Sequence, residues 1–190
     1  MKTLFWDIDT QLDFMAPAGA LYVPGAETIV GTVAALNRYA AAHGIQVLSS
    51  VDAHLEDDIE FKTWPHHCVA GTAGQQKCAA TLLEKRIVIP NALCSPSIEG
   101  AQQIVVEKQT IDVFSNVNLA ALLQQLDAAR HVVYGVVTEI CVLRAALGLA
   151  KSGVRVEVVT DAIRGLSDEA SRKALAELSA AGCALVHPPQ

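Results

Sequence analysis

The chain has 190 residues, about half of them hydrophobic, which is enough to bury one substantial core. Its formal net charge of -6, with no run of Lys and Arg, excludes a general nucleic-acid binder, which needs a basic face. No apolar stretch is long enough to span a bilayer, and MKTLFWDID reaches acidic residues too early for a signal peptide. One domain over residues 1–190, in the cytoplasm, is the expectation.

In chain order, TLFWDI reads as a first strand, with Asp7, Asp9 and Asp13 at or just past its end. Side chains alternate along a strand, so Asp7 and Asp9 point the same way if the strand runs through both. An Ala-, Leu- and Val-rich stretch from about Glu27 to His43 reads as a helix ended by Gly44, and IQVLSSV as the next strand. A polar, irregular segment follows from Asp52 to about Gln76. RIVIP and IVVEK are short strands, and Leu119, Leu122, Leu123 and Leu126 recur at helical spacing. HVVYGVV is a buried strand by composition. Cys141 to about Lys151 reads as a helix with Gly153 beyond it, and VRVEVVTDA as a strand. Ser167 is placed to cap a last helix to about Ala181, with Asp168 and Glu169 in its first turn, before the strand CALVH.

Strands alternating with helices predict an α/β fold: a three-layer α/β/α arrangement around a mainly parallel sheet. In such sheets the ligand site lies beyond the carboxyl ends of the strands. Asp9, Asp52, Lys108 and Thr138 to Cys141 all fall at those ends, so the fold gathers them on one edge.

Five cysteines, irregularly spaced and without a CxxC pair, form neither a disulfide framework nor a zinc ribbon, and a reducing compartment is the economical reading. Cys141 stands where GVVTEICV turns from strand into helix. A thiol there feels the helix dipole, which lowers its pKa, and nearby backbone N–H groups can hold an oxyanion. The competing reading is a small buried apolar residue. In SVDAHLEDDIEFKTWPHHC, Asp52, His54, Glu60, His66 and His67 offer carboxylate and imidazole, a donor set that suits zinc, iron or manganese. Its bland counterpart is a solvated acidic loop. Lys108 is a solvated charge unless the fold brings it to Asp9 and Cys141. Phe14 and Trp64 are either core or walls for a flat ring.

Two families share features with these motifs. DIDTQ resembles the D-x-D motif of the haloacid dehalogenase superfamily, which implies Asp7 as nucleophile and Asp9 as acid in a phosphatase. That pattern wants threonine where Gln11 stands, and its late acidic pair is reduced to Asp161. The wider resemblance is to the isochorismatase-like cysteine hydrolases, nearest the nicotinamidase (pyrazinamidase) branch. It rests on Asp9, Gln11, Asp13 and Phe14 in D-x-Q-x-D-F and on Asp52 and His54 in D-x-H. Trp64, Pro65, His67, Cys68, Gly71, Thr72 and Gly74 match W-P-x-H-C-x-x-G-T-x-G, and Gly135, Thr138, Glu139, Cys141 and Val142 match the nucleophile motif.

That resemblance implies a catalytic triad of Asp9, Lys108 and Cys141, with Asp7 and Asp13 in supporting roles. It implies an oxyanion hole from the N–H groups of Val137 and Cys141, in a turn that can hold a cis peptide. A divalent metal, with zinc, iron or manganese as candidates, falls to Asp52, His54 and His67, with Glu60 as a further ligand and His66 as a neighbour. Phe14 and Trp64 flank the substrate, a small primary amide such as nicotinamide, with another small amide or a carbamoyl compound as the alternative, and Phe114 keeps part of the family's pocket segment. A homo-oligomer is also implied. The departures are QTIDVFSN after Lys108, Val137 in place of a common alanine, and Glu139 in place of the commoner aspartate.

Overall fold

The computed structural model describes residues 1–187. Seven strands form one sheet: β1 (Thr3–Ile8), β2 (Gln46–Asp52), β3 (Arg86–Ile89), β4 (Gln103–Lys108), β5 (Arg130–Val136), β6 (Arg155–Arg164) and β7 (Ala184–Val186). Their order is β3-β4-β2-β1-β5-β6-β7, and every neighbouring pair is parallel. The helices are α1 (Leu12–Met15), α2 (Val30–Ala42), α3 (Leu119–Leu126), α4 (Leu143–Ala150) and α5 (Asp168–Ala180).

The central strands are mostly apolar because both faces of the sheet are covered. Alternation along β1 shows how. Phe5 stacks on Tyr39 of α2 on one face, while Trp6 meets Phe114 and His131 on the other. Trp6 keeps its indole N–H satisfied by donating to Nδ1 of His131 at 2.9 Å, which is how so large a polar-tipped ring can be fully buried. The predicted stripe of α3 is realised, with Leu119, Leu122 and Leu126 buried. Ser167 caps α5 by accepting from the Ala170 N–H at 3.2 Å.

Three local expectations change. Before α2, Ala26–Ile29 form a 3-10 turn, so the regular helix begins at Val30. The helix predicted from Cys141 is a π-helical turn over Thr138–Val142 followed by α4. β1 stops at Ile8, and Asp9 turns away with φ of 48°, so Asp7 and Asp9 do not share a direction.

β1 and β5 are neighbours whose onward connections run to opposite sides, to β2 and to β6. This is the switch point at which open parallel sheets leave a crevice beyond the carboxyl ends of their strands. β5 comes very close to β1 just there. A β-carbon on Gly135, whose φ is 119°, would lie 2.1 Å from the Ile8 carbonyl oxygen, so only glycine fits.

Candidate active site

Asp9, Lys108 and Cys141 converge at this crevice from three separate strand ends. The Lys108 ammonium lies 2.9 Å from Asp9 Oδ2 and 3.9 Å from Cys141 Sγ, and it also contacts Asp52 Oδ1. Lys108 is completely buried, an arrangement tolerated only with paired charge. Burial works against its charge, but Asp52, Asp9 and Cys141 outweigh it and hold the ammonium well above its usual range. Asp9 Oδ1 accepts from the Ser50 hydroxyl at 2.6 Å. Asp9 Oδ2 has no donor aligned on it, so its contact with Lys108 is ionic and a lone pair stays free to take a proton. Burial raises the Asp9 carboxyl, with Lys108 opposing and Asp52 reinforcing the rise.

The thiol differs from expectation. Burial pushes Cys141 well above the usual cysteine range; Lys108 pulls it down, and the Asp9 and Asp52 carboxylates push it up. Burial therefore opposes ionisation of the Cys141 thiol, and the Asp9 oxygen without an aligned donor is the acceptor available to its proton. Val137 and Cys141 both face the crevice, and the Val136–Val137 peptide is cis. The Val137 carbonyl accepts from the Ile140 and Val142 N–H groups, which folds the nucleophile turn back on itself.

The second cluster adjoins the first through Asp52. Ligand-type atoms of Asp52, His54 and His67 all lie within 4.8 Å of one another, and all three residues are buried. Asp52 Oδ2 is 3.9 Å from Nε2 of both histidines. The far ring nitrogens are anchored: His54 Nδ1 to Asp58 Oδ2 at 2.9 Å, and His67 Nδ1 to the Pro65 carbonyl at 2.7 Å. That fixes the tautomer and turns both Nε2 lone pairs towards Asp52, as metal-ligating histidines require. His54 Nε2 is buried without a hydrogen-bond partner, a cost that a cation at this point removes. The donor set fits a divalent metal such as zinc. Glu60 Oε2 is 3.4 Å from His54 Nε2, while its Oε1 accepts from the Ile111 N–H. His66 is exposed and stacks on Phe61, outside the cluster.

A cleft of about 380 Å³, counting its open mouth, lies above both clusters. Asp52, Glu60, His67 and Cys141 form its polar floor, with Val137 beside Cys141. Phe14 and Trp64 line its walls, with Leu21, Ile111, Ile140 and Leu166. Phe114 is the correction here. Its ring packs inward on Trp6, with centroids 6.4 Å apart, and over Gly148, so it supports the layer beneath the site without lining the cleft. Ile111, earlier in the same segment, takes that place at the wall.

Asp7, the nucleophile under the dehalogenase-like reading, is withdrawn from the cleft. Its carboxylate is fully buried 3.0 Å from the Lys77 ammonium and accepts from Thr10 and Asn37. Asp13 accepts from the Cys68 and Ala20 N–H groups, tying the loop that carries His67 to α1. Gln11 clamps the end of β2: its side chain accepts from the Asp52 N–H at 2.7 Å and donates to the Asp52 carbonyl at 2.8 Å. Sequence reasoning missed Ser50 as the partner of Asp9. The signal was there, since two serines interrupt an otherwise apolar strand in VLSSV. Leu21, Ile140 and Leu166 carry no comparable signal.

A sequence model of the Isochorismatase domain matches residues 89–187. The nicotinamidase of Escherichia coli K12 is 27% identical, over 94% of this chain and 91% of that protein. Among solved structures, the pyrazinamidase of Pyrococcus horikoshii in complex with zinc superimposes with a TM-score of 0.85 at 28% identity, over 99% of this chain and 100% of that one. The pyrazinamidase/nicotinamidase of Streptococcus mutans gives 0.84 at 27% identity, over 97% and 100%.

Proposed function

The chain belongs to the isochorismatase family, and from that premise we propose that it is a metal-containing cysteine amidohydrolase acting on small primary amides, with nicotinamide as the leading substrate. One observation carries the reading. A buried lysine joins a thiol to a carboxylate with a free lone pair, at the floor of a cleft whose adjoining face is an Asp–His–His cluster. The pyrazinamidase and nicotinamidase names of the relatives point to the same substrate class.

In the proposed reaction, Asp9 Oδ2 takes the proton of the Cys141 thiol as Sγ attacks the amide carbon. The carbonyl electron pair moves to oxygen, where the N–H groups of Val137 and Cys141 hold it. Lys108 stays charged throughout, so it favours the thiolate as it forms without itself giving up a proton. Collapse of the adduct breaks the C–N bond, and Asp9 returns the proton to the nitrogen, releasing ammonia. Water then gives a proton to Asp9 and its oxygen attacks the thioester. The C–S bond breaks, the acid leaves, and the proton passes back to Cys141. Asp52, His54 and His67, with Glu60 beside them, would hold the divalent cation. When bound, that cation supplies a Lewis-acid docking point for the lone pair of a ring nitrogen. Phe14 and Trp64 supply apolar surface for the ring.

Ammonia release from nicotinamide, measured with and without added zinc, iron or manganese and beside Cys141→Ala, tests the proposal. The native protein is expected to release ammonia and the variant none, with unchanged thermal unfolding. Undiminished release by Cys141→Ala refutes the covalent route, and no release from metal-loaded native protein refutes nicotinamide as substrate.

A further inference from the structure

The floor of the cleft is buried: Cys141 is 7% exposed, and Lys108 behind it 0%. Leu166, by contrast, is 38% exposed and yet lines the same cleft, so it stands at the mouth. It belongs to the loop between β6 and α5, far in sequence from the nucleophile turn. Glu139 joins the two. Its Oε1 accepts from the Leu166 N–H at 2.8 Å, and its Oε2 lies 3.4 Å from the Ser171 hydroxyl. The loop passes flush against this carboxylate, since a β-carbon on Gly165 would lie 2.0 Å from Glu139 Oε2 and 2.1 Å from Ser171 Oγ. Glu139 is two positions before Cys141, so a single turn carries both the nucleophile and the anchor of the outer wall.

We infer that Leu166 is a specificity-determining residue that limits substituents on the substrate ring, and that Glu139 is the positioning residue that holds it there. The inference rests on the amidohydrolase reading above. With the carboxamide at Cys141 and the ring nitrogen towards Asp52, His54 and His67, the ring carbon at position 5 of nicotinamide faces neither. A group on that carbon extends towards the mouth and meets Leu166. A hydrophobic pocket typically discriminates by about 10–200-fold per methylene it cannot accommodate.

The test compares kcat/KM for nicotinamide and for nicotinamides bearing a methyl or propyl group at ring carbon 5, in the metal-loaded enzyme. Leu166→Ala is expected to raise the ratio of substituted to unsubstituted kcat/KM at least tenfold, mainly through KM of the substituted amides. Glu139→Ala is expected to raise the same ratio, and Glu139→Gln, which keeps an acceptor for the Leu166 N–H, to restore it towards native. A merely structural role for Glu139 lowers kcat/KM for all three amides together and leaves the ratio unmoved. If native enzyme turns over nicotinamide but the ratio in folded Leu166→Ala equals the native one, this inference is overturned and the amidohydrolase reading survives. If native enzyme turns over none of the three amides, nicotinamide falls as the substrate and this inference falls with it.

Discussion

Replacing Lys108 with methionine removes the ammonium set between Asp9, Asp52 and Cys141 while keeping most of the side-chain volume. At 2.9 Å and an effective dielectric of about 20, the Asp9 contact alone is a gross attraction of about 6 kcal/mol. Desolvation of the buried ammonium offsets much of that in the native protein, so the pair itself stabilises far less. Truncating one partner is different, because Asp9 and Asp52 are then left facing one another in a buried site. The expected loss is about 3–5 kcal/mol at neutral pH, a large share of a stability typically about 5–15 kcal/mol. With a urea m-value of about 2 kcal/mol/M, the unfolding midpoint drops by about 1.5–2.5 M. The loss has a definite pH dependence. Asp9 already binds its proton more tightly in the fold than in the unfolded chain, through burial. Without Lys108 this difference grows, so the variant recovers stability as pH falls from neutral towards the unfolded carboxylate range. In native protein the Lys108 contribution has the same sign in a much higher window: its folded pKa is raised, so the contribution is fully present below the ordinary lysine range and is lost as pH rises beyond it. Urea unfolding of metal-free native and Lys108→Met protein at pH 5, 7 and 8 measures the loss and its carboxylate pH dependence. Adding Asp9→Asn to Lys108→Met should regain part of the loss at neutral pH, because one of the two facing charges is gone. A loss under about 1 kcal/mol, or one that does not change with pH, would show that the three charges are solvated and that the geometry described here is wrong.

Three further outcomes follow from the same contacts. His54→Ala and His67→Ala should each lower bound metal by at least tenfold in elemental analysis, with thermal unfolding of the metal-free protein changed less than that of the metal-loaded one; unchanged metal content refutes the cluster. Asp7→Asn should cost about 3–5 kcal/mol in denaturant unfolding by stranding the Lys77 ammonium, yet leave the folded fraction active, whereas Asp9→Asn should fold and lose turnover. The reverse order would return Asp7 to the chemistry. Ser167→Ala removes the cap of α5 and should lower stability by about 1 kcal/mol, read in the same denaturant assay, and no change would mean that the α5 terminus is satisfied by water.

The layer architecture was legible in the chain because hydrophobic runs and helical periodicity are local properties. The alternation of Phe5 and Trp6, the leucine stripe of α3 and the Ser167 cap are each decided by residues within a turn or two of each other. The rule that parallel sheets bind ligands beyond their strand ends then placed Asp9, Asp52, Lys108 and Cys141 on one edge without coordinates. What the sequence could not decide is direction and burial. Asp7 and Asp9 look equivalent in FWDIDTQLDF, yet a single positive φ at Asp9 sends one to Lys108 and leaves the other with Lys77. The Cys141 thiol looked activated by its helix start, yet burial opposes its ionisation, because accessibility depends on what the distant strands and loops place around it. Phe114 followed a motif into the pocket on paper and packs beneath it in the fold, while Leu166, from a loop tied to the nucleophile turn through Glu139, lines the cleft. Local pattern sets which elements form; contacts between residues far apart in the chain set which charged groups pair and which side chains face the substrate.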